Sequence, residues 1–423
     1  MTVWQRLLGL GPRELARAIP LFTYLFLTIA GSVASKAARD ALFLDRFEAT
    51  DLPYVDIAVA VLVGLIAGIY IRLGARTNLR NLQVASLLAF AATAVAFWWA
   101  ARRTAGETGV LFAIIYVWVG ALSVLIPTQV WTLANYVMTT REAKRSFGFI
   151  GGGAILGWIV GGFATRVLAA RFGTESALLW VAATLVASAW LVWLVWSRRP
   201  AHFAADDAAA EAVLPAAGLW PSFTMVRGSA YLTAIASVVW LAAFVTTVAG
   251  WQFKAIAKTY VPNTDDLTMF FGTFNIIAGV IALALQVLLT GRILRFAGIG
   301  VALFIVPVAM TVSSGMLLIF GSLVAAGALK ASDQVLRYSV DKATVELLYL
   351  PVATSLTFRI KSFIDTVVYR VGDALGGLTV LVFAAVIGLS PVQVTWVTLM
   401  ALAGWFWAAG VARSQYVENL RES

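Results

Sequence analysis

The amino-acid sequence predicts an all-α integral membrane fold, with about twelve transmembrane helices arranged as two six-helix halves. Three observations carry that expectation. Of 423 residues, 61% are hydrophobic and 12% charged, against roughly 45–50% and about 25% in soluble globular proteins. The apolar residues come in continuous runs, each long enough for the ~20 residues that cross hydrocarbon, without the period-two alternation of a membrane barrel. Cations recur between alternate runs, as topology signals do.

Taken in order, the runs place spans at 19–44, 54–74, 80–101, 109–138, 146–170, 174–197, 229–258, 267–291, 297–314, 317–341, 357–388 and 391–411. The ninth and tenth are divided at Ser313-Ser314-Gly315, where one long apolar region needs a very short turn. With the N-terminus inside, the inner loops hold Arg72, Arg76 and Arg80, then Arg141, Lys144 and Arg145, then Arg198 and Arg199, then Arg292 and Arg295. The outer loops hold Asp45, Glu48 and Asp51, and later Asp265 and Asp266. Arg102, Arg103, Arg166 and Arg171 fall outside and run against the rule. Both termini are therefore expected in the cytoplasm, and the bacterial inner membrane is the expected address. Met1-Thr-Val-Trp-Gln-Arg6 lacks the apolar core and small-residue cleavage site of a removable signal.

The polar stretch 198–227 reads as a cytoplasmic linker between an N-terminal half, 1–197, and a C-terminal half, 228–423. A shift of 216 positions lands Ser146-Phe147 on Ser362-Phe363, Gly161 on Gly377 and Arg76 on Arg292. Duplicated six-helix halves are the plan of major-facilitator-type transporters, in which a solute binds near the midplane between the halves.

The chain has no Cys and one His, His202 in the linker. That composition excludes disulfide scaffolds, thiolate and haem sites and His-based triads. No cofactor, resident metal or enzymatic activity is expected. The formal net charge of +10 belongs first to topology, so the expected partners are membrane lipid and a small anionic solute rather than nucleic acid, with the chain a monomer.

Ionisable side chains inside spans cost at least ~2.5–3.5 kcal/mol each and therefore mark cavities or partners. The first span carries Lys36, Arg39 and Asp40 on one helical face, read as a cationic element of the substrate site because apolar residues continue to Leu44, with a Lys36–Asp40 pair snorkelling to the outer surface as the alternative. The tenth carries Lys330, Asp333, Arg337 and Asp341 at three- and four-residue steps, a stripe that cannot face lipid. Lys330 and Asp333 are the deeper candidates for ligand contact, while Lys342 and Glu346 belong to the inner end. An ion-pair ladder that stabilises one conformation is the alternative reading of this stripe. The eleventh span adds Arg359, Lys361, Asp365, Tyr369, Arg370 and Asp373, with Lys361–Asp365 and Tyr369–Asp373 four apart. Lys254 and Lys258 share a face at the outer end of the seventh. Lys36, Arg39, Lys254, Lys330, Asp333 and Arg337 are the substrate-binding candidates, and Asp40, Asp341, Asp365, Arg370 and Asp373 the coupling or gating ones. Intramembrane cations outnumber anions in this set, which predicts an anionic substrate. The glycines between Gly148 and Gly162 have no following Lys-Ser/Thr and no preceding strand, so they serve close helix packing.

Several segments resemble the nucleotide transporter (ATP/ADP translocase) family of plastids and obligate intracellular bacteria. They are Arg39-Asp40-Ala-Leu-Phe-Leu, Trp131-Thr-Leu-Ala-Asn135, Glu142-Ala-Lys-Arg-Ser-Phe with its Gly-rich run, Arg337-Tyr-Ser, Glu346-Leu-Leu-Tyr-Leu-Pro351 and Lys361-Ser-Phe-Ile-Asp365. The matches keep their order over most of the chain. The resemblance implies a multi-pass carrier whose cargo is gripped by four intramembrane charges. Here the first of those has a basic counterpart in Arg39, while the other three fall on about Val119, Val248 and Val345. The expected function is thus secondary-active, alternating-access transport of an anionic organic solute, by a divergent bacterial member. A non-transporting sensor or scaffold, or a flippase for a lipid-linked substrate, is the alternative.

Overall fold

A computed structural model describes residues 12–74, 77–103, 109–138, 140–197, 219–296, 298–349, 360–361 and 363–422. Among them every regular element is helical. Ten helices are long and apolar enough to cross a membrane. Two further rods, Leu52–Gly74 and the charge-bearing Leu323–Leu348, bring the long rods among the described residues to twelve.

These are α1 (Pro12–Arg46), α2 (Leu52–Gly74), α3 (Leu79–Arg103), α4 (Gly109–Val137), α5 (Thr140–Phe172) and α6 (Ser176–Ser197). After a nine-residue helix, Leu219–Arg227, come α7 (Ala230–Tyr260), α8 (Thr264–Leu285 and its continuation to Phe296) and α9 (Gly298–Phe320). The rod α10 joins Leu323–Leu336, a π-helical turn at Arg337–Asp341 and Lys342–Leu348. In α11, π-helical turns Ile364–Val368 and Leu381–Val386 flank Tyr369–Val380, and α12 is Thr395–Glu422. Part of the expected linker is therefore helical. Residues 198–218, including His202, and Arg76, Arg359 and Ser362 lie outside the described residues, as do the side chains of Arg72, Arg141, Lys144, Arg145, Arg295 and Lys342.

The break between α9 and α10 corrects the expected one. Ser313 stays helical, its hydroxyl donating to the Ala309 carbonyl at 2.7 Å. The chain turns instead at Gly321, whose φ of +54° lies where a side chain would strain the backbone. Ser322 then caps α10 by accepting from the Ala325 amide.

Two compact units emerge, the first from the described residues within Met1–Phe47, Ala58–Ala212 and Val261–Gly279, the second from those within Glu48–Ile57, Val213–Tyr260 and Val280–Ser423. Each has the same pairings. In the first, α1 packs on α4, α5 and α6, and α3 on α6; in the second, α7 packs on α10, α11 and α12, and α9 on α12. The core of the first unit is built around fully buried Leu21, Tyr24, Leu87, Ile126, Leu133 and Val192. Conversely, Val61, Leu65 and Ile69 on α2 and Val308, Val312, Met316 and Ile319 on α9 are exposed at three- and four-residue steps. A soluble helix would bury that stripe; here it faces lipid.

Glycines set the closest approaches. A Cβ on Gly157 would lie 2.4 Å from the Phe26 carbonyl oxygen, and one on Gly161 2.7 Å from that of Ala30. On α11, Gly372 and Gly376 meet the Trp240 and Phe244 carbonyls of α7 in the same way, at 2.4 and 2.9 Å. The structural repeat of α5 is thus Gly157–Gly161 onto Gly372–Gly376. Gly161 corresponds to Gly376, one residue short of the register that pairs it with Gly377, which has nothing within 4 Å. The ends repeat too. Arg17 of α1 donates to the Val137 carbonyl that ends α4, at 2.9 Å, and Tyr231 of α7 donates to the Leu348 carbonyl that ends α10.

Candidate functional site

The charged stripe of α10 meets the polar face of α7. Asp333 is 2% exposed and accepts from Lys330 Nζ at 3.2 Å, from Arg337 Nε at 3.0 Å and from the Thr246 hydroxyl at 2.8 Å. Three- and four-residue steps put both cations on its side of the helix. A carboxylate this deep is tolerable only when paired and hydrogen-bonded. Asp333 and Arg337 flank the middle of the rod, where the helix loosens into its π-helical turn, a distortion frequent at functional sites.

Arg337 also reaches the Ala242 carbonyl at 3.3 Å and the Tyr369 hydroxyl at 3.4 Å, which brings in α11. There Asp373 accepts from the Thr247 hydroxyl and from Arg370 at 3.4 Å. Neighbouring threonines of α7 therefore serve one carboxylate each, Thr246 that of α10 and Thr247 that of α11. Lys330 lies beside Gly250, 3.8 Å from where a Cβ would stand, and Lys254 stands one turn further along the same face of α7. The hydrogen-bonded set Lys330, Asp333 and Arg337 carries one more positive charge than negative, and Asp341, one turn along α10, lies within electrostatic reach of Arg337. The two cations of the set retain access, the Lys330 side chain being 21% exposed and that of Arg337 16%.

In the first unit, Arg39 pairs with its own neighbour Asp40 at 2.7 Å, and its guanidinium lies 4.0 Å from the centre of the Tyr116 ring on α4. The cation–π seat on Tyr116 holds Arg39 where it closes on Asp40, and Lys36 is exposed one turn earlier on α1. On α11, Lys361 bonds Glu346 at 2.6 Å, and the Tyr369 hydroxyl accepts from Arg337. Asp365 is exposed on the first π-helical turn of α11, and Asp341 is half-buried at the end of the α10 turn. Among the described residues no cluster of His, Cys, Asp and Glu could hold a metal ion.

Sequence reasoning missed Thr246, Thr247 and Tyr116, because a hydroxyl or ring inside an apolar run carries no signal of its own. It also missed Arg17, 7% exposed, which pairs with Glu142 at the head of α5 while holding the end of α4. The one hint was a basic residue just ahead of the first apolar run.

Comparison with known proteins agrees with this architecture. The chain aligns with an ADP,ATP carrier protein 1 of Chlamydia pneumoniae at 23% identity over 328 residues, covering 68% of this chain and 64% of the carrier. It aligns with an ADP,ATP carrier protein 3 of Rickettsia conorii at 21% identity, covering 73% and 70%. The chain thus spans just under two thirds of the first carrier's length. Among solved structures, a bacterial homologue of the iron transporter ferroportin superposes with a TM-score of 0.65 at 14% identity, covering 95% of this chain and 98% of that one. A D-xylose–proton symporter superposes at 0.61 and 14%, covering 93% and 96%. These likenesses fix the fold as major-facilitator-like. The family model of the TLC ATP/ADP transporters matches residues 96–416, three quarters of the sequence, and the chain belongs to that family.

Proposed function

We propose that the chain is a secondary-active transporter that carries an anionic organic solute by alternating access. The observation that carries this reading is the buried Asp333 with two cations on it, in a cluster that keeps a net positive charge and accessible cationic side chains. Lys330 and Arg337, with Lys254 nearby, supply cationic contacts in the second unit, and Arg39 and Lys36 supply them in the first. Asp333 holds Lys330 and Arg337 in place. Asp40, Asp341, Asp365, Arg370 and Asp373 exchange partners during the cycle. Relatives named as ADP,ATP carriers make phosphorylated solutes the first to test. Val119 and Val248, where the resemblance sets charges, are 0% exposed and apolar, which favours a cargo other than ATP and ADP. The arginine-rich loops favour an inner-membrane protein with both termini in the cytoplasm.

The test is thermal unfolding of the purified chain against ATP, ADP, NAD, phosphate, sugar phosphates and dicarboxylates. A ligand at ~100 times its dissociation constant stabilises the fold by about 2.7 kcal/mol. One of these anions should raise the melting temperature of the wild type, and less so that of Lys330→Ala. A flat response across the panel would overturn the proposal.

A further inference from the structure

Four arginines of the first unit lie at the end of α3 and α5 that the charge pattern assigns to the outside, against the positive-inside rule. α3 ends Trp98-Trp99-Ala100-Ala101-Arg102-Arg103, and the four-residue spacing folds each guanidinium back toward a ring. Arg102 Cζ lies 5.2 Å from the centre of Trp98, and Arg103 Cζ 4.1 Å from that of Trp99. Arg102 also donates to the carbonyl of Phe172, the last residue of α5, at 3.0 Å, so the two helix ends are tied side by side. Arg171 and Arg166 are exposed on the last two turns of α5. Among the described residues none of the four has a carboxylate within ion-pair distance. The negative ends of the two helix dipoles favour cations there, and Arg102 uses that attraction in capping a carbonyl. Arg103, Arg166 and Arg171 are left over.

Beside these charges stand exposed rings, Trp99 at 53% and Phe172 at 60%. A Trp belt marks the headgroup level of a bilayer, and a guanidinium is the side chain best matched to a phosphodiester. A cationic shelf with an apolar base is therefore complementary to a negative phosphate joined to acyl chains. We infer that this end of the first unit binds the headgroup of an anionic phospholipid, with Arg102, Arg103 and Arg171 on the phosphate and Trp99 and Phe172 against the glycerol–acyl region. The site is independent of the solute the chain carries.

The experiment is native mass spectrometry of the full chain from mixed micelles with equal phosphatidylglycerol and phosphatidylcholine. Wild type should retain phosphatidylglycerol in preference. Arg103→Gln and Arg171→Gln should each weaken that preference about fivefold, the value of one interfacial cation. Both leave the Arg102 bridge between helix ends intact. Arg80→Gln, at the opposite end of α3, should leave the preference unchanged. Added inorganic phosphate should not displace the lipid. Equal retention of the two lipids by wild type, a preference unaltered in Arg103→Gln and Arg171→Gln, an equal loss in Arg80→Gln, or displacement by phosphate alone would each overturn the inference.

Discussion

Replacing Asp333 with Ala tests the electrostatics of the second unit directly. The carboxylate is 2% exposed and accepts from Lys330, Arg337 and Thr246. Its removal leaves two cations facing each other across a buried position. Breaking a buried ion pair from one side costs about 3–5 kcal/mol. At about 2 °C per kcal/mol, the lower end of the range for larger chains, that lowers the melting temperature by about 6–10 °C. The 16 tryptophans make intrinsic fluorescence a convenient readout. The partner variant is Arg337→Met, which also forfeits the contacts to Tyr369 and Ala242. Combined as Asp333→Ala/Arg337→Met, the loss should be clearly smaller than the sum of the two single losses, because residues of one network couple. A fall of less than about 1 °C in Asp333→Ala, or strict additivity in the double variant, would refute the reasoning.

Three further outcomes follow from the same structure. Gly157→Ala and Gly372→Ala should destabilise by about 1–3 kcal/mol through overpacking, since each new methyl meets a backbone oxygen at 2.4 Å. Gly151→Ala, with nothing within 4 Å, should be neutral or slightly stabilising in the same melting assay. Arg17→Gln should cost about 1.5–3 kcal/mol by loosening the end of α4 and removing the ion pair to Glu142, measured by the same melts. Arg39→Lys keeps the charge but gives up the planar seat on Tyr116; solute KM should rise severalfold while the melting temperature moves little.

Much of this was legible in the residues because the solvent is lipid. Long apolar runs declare spans, and the stripe Lys330, Asp333, Arg337 declares a buried partner, since each charge is so costly there. Boundaries were less legible. Ser313-Ser314-Gly315 has the composition of a turn, yet the hydroxyl of Ser313 bonds the preceding turn and the helix continues to Phe320. Pairings were the least legible. Glu142 finds Arg17 across 125 positions and Glu346 finds Lys361 across 15, and no local spacing encodes either. The repeat was visible in outline, but its register came from which glycines touch backbone, and that depends on helix rotation rather than sequence alignment.

The central claim is that a cationic cluster organised by Asp333 serves to move an anion. The most direct measurement is counterflow in proteoliposomes: vesicles loaded with one unlabelled anion that stabilises the protein, diluted into its labelled form. Wild type should accumulate label transiently, and Lys330→Ala and Arg39→Ala should each lose most of that accumulation while remaining folded. Label accumulating equally in all three proteins, or in none of them with any anion that binds, would contradict the account.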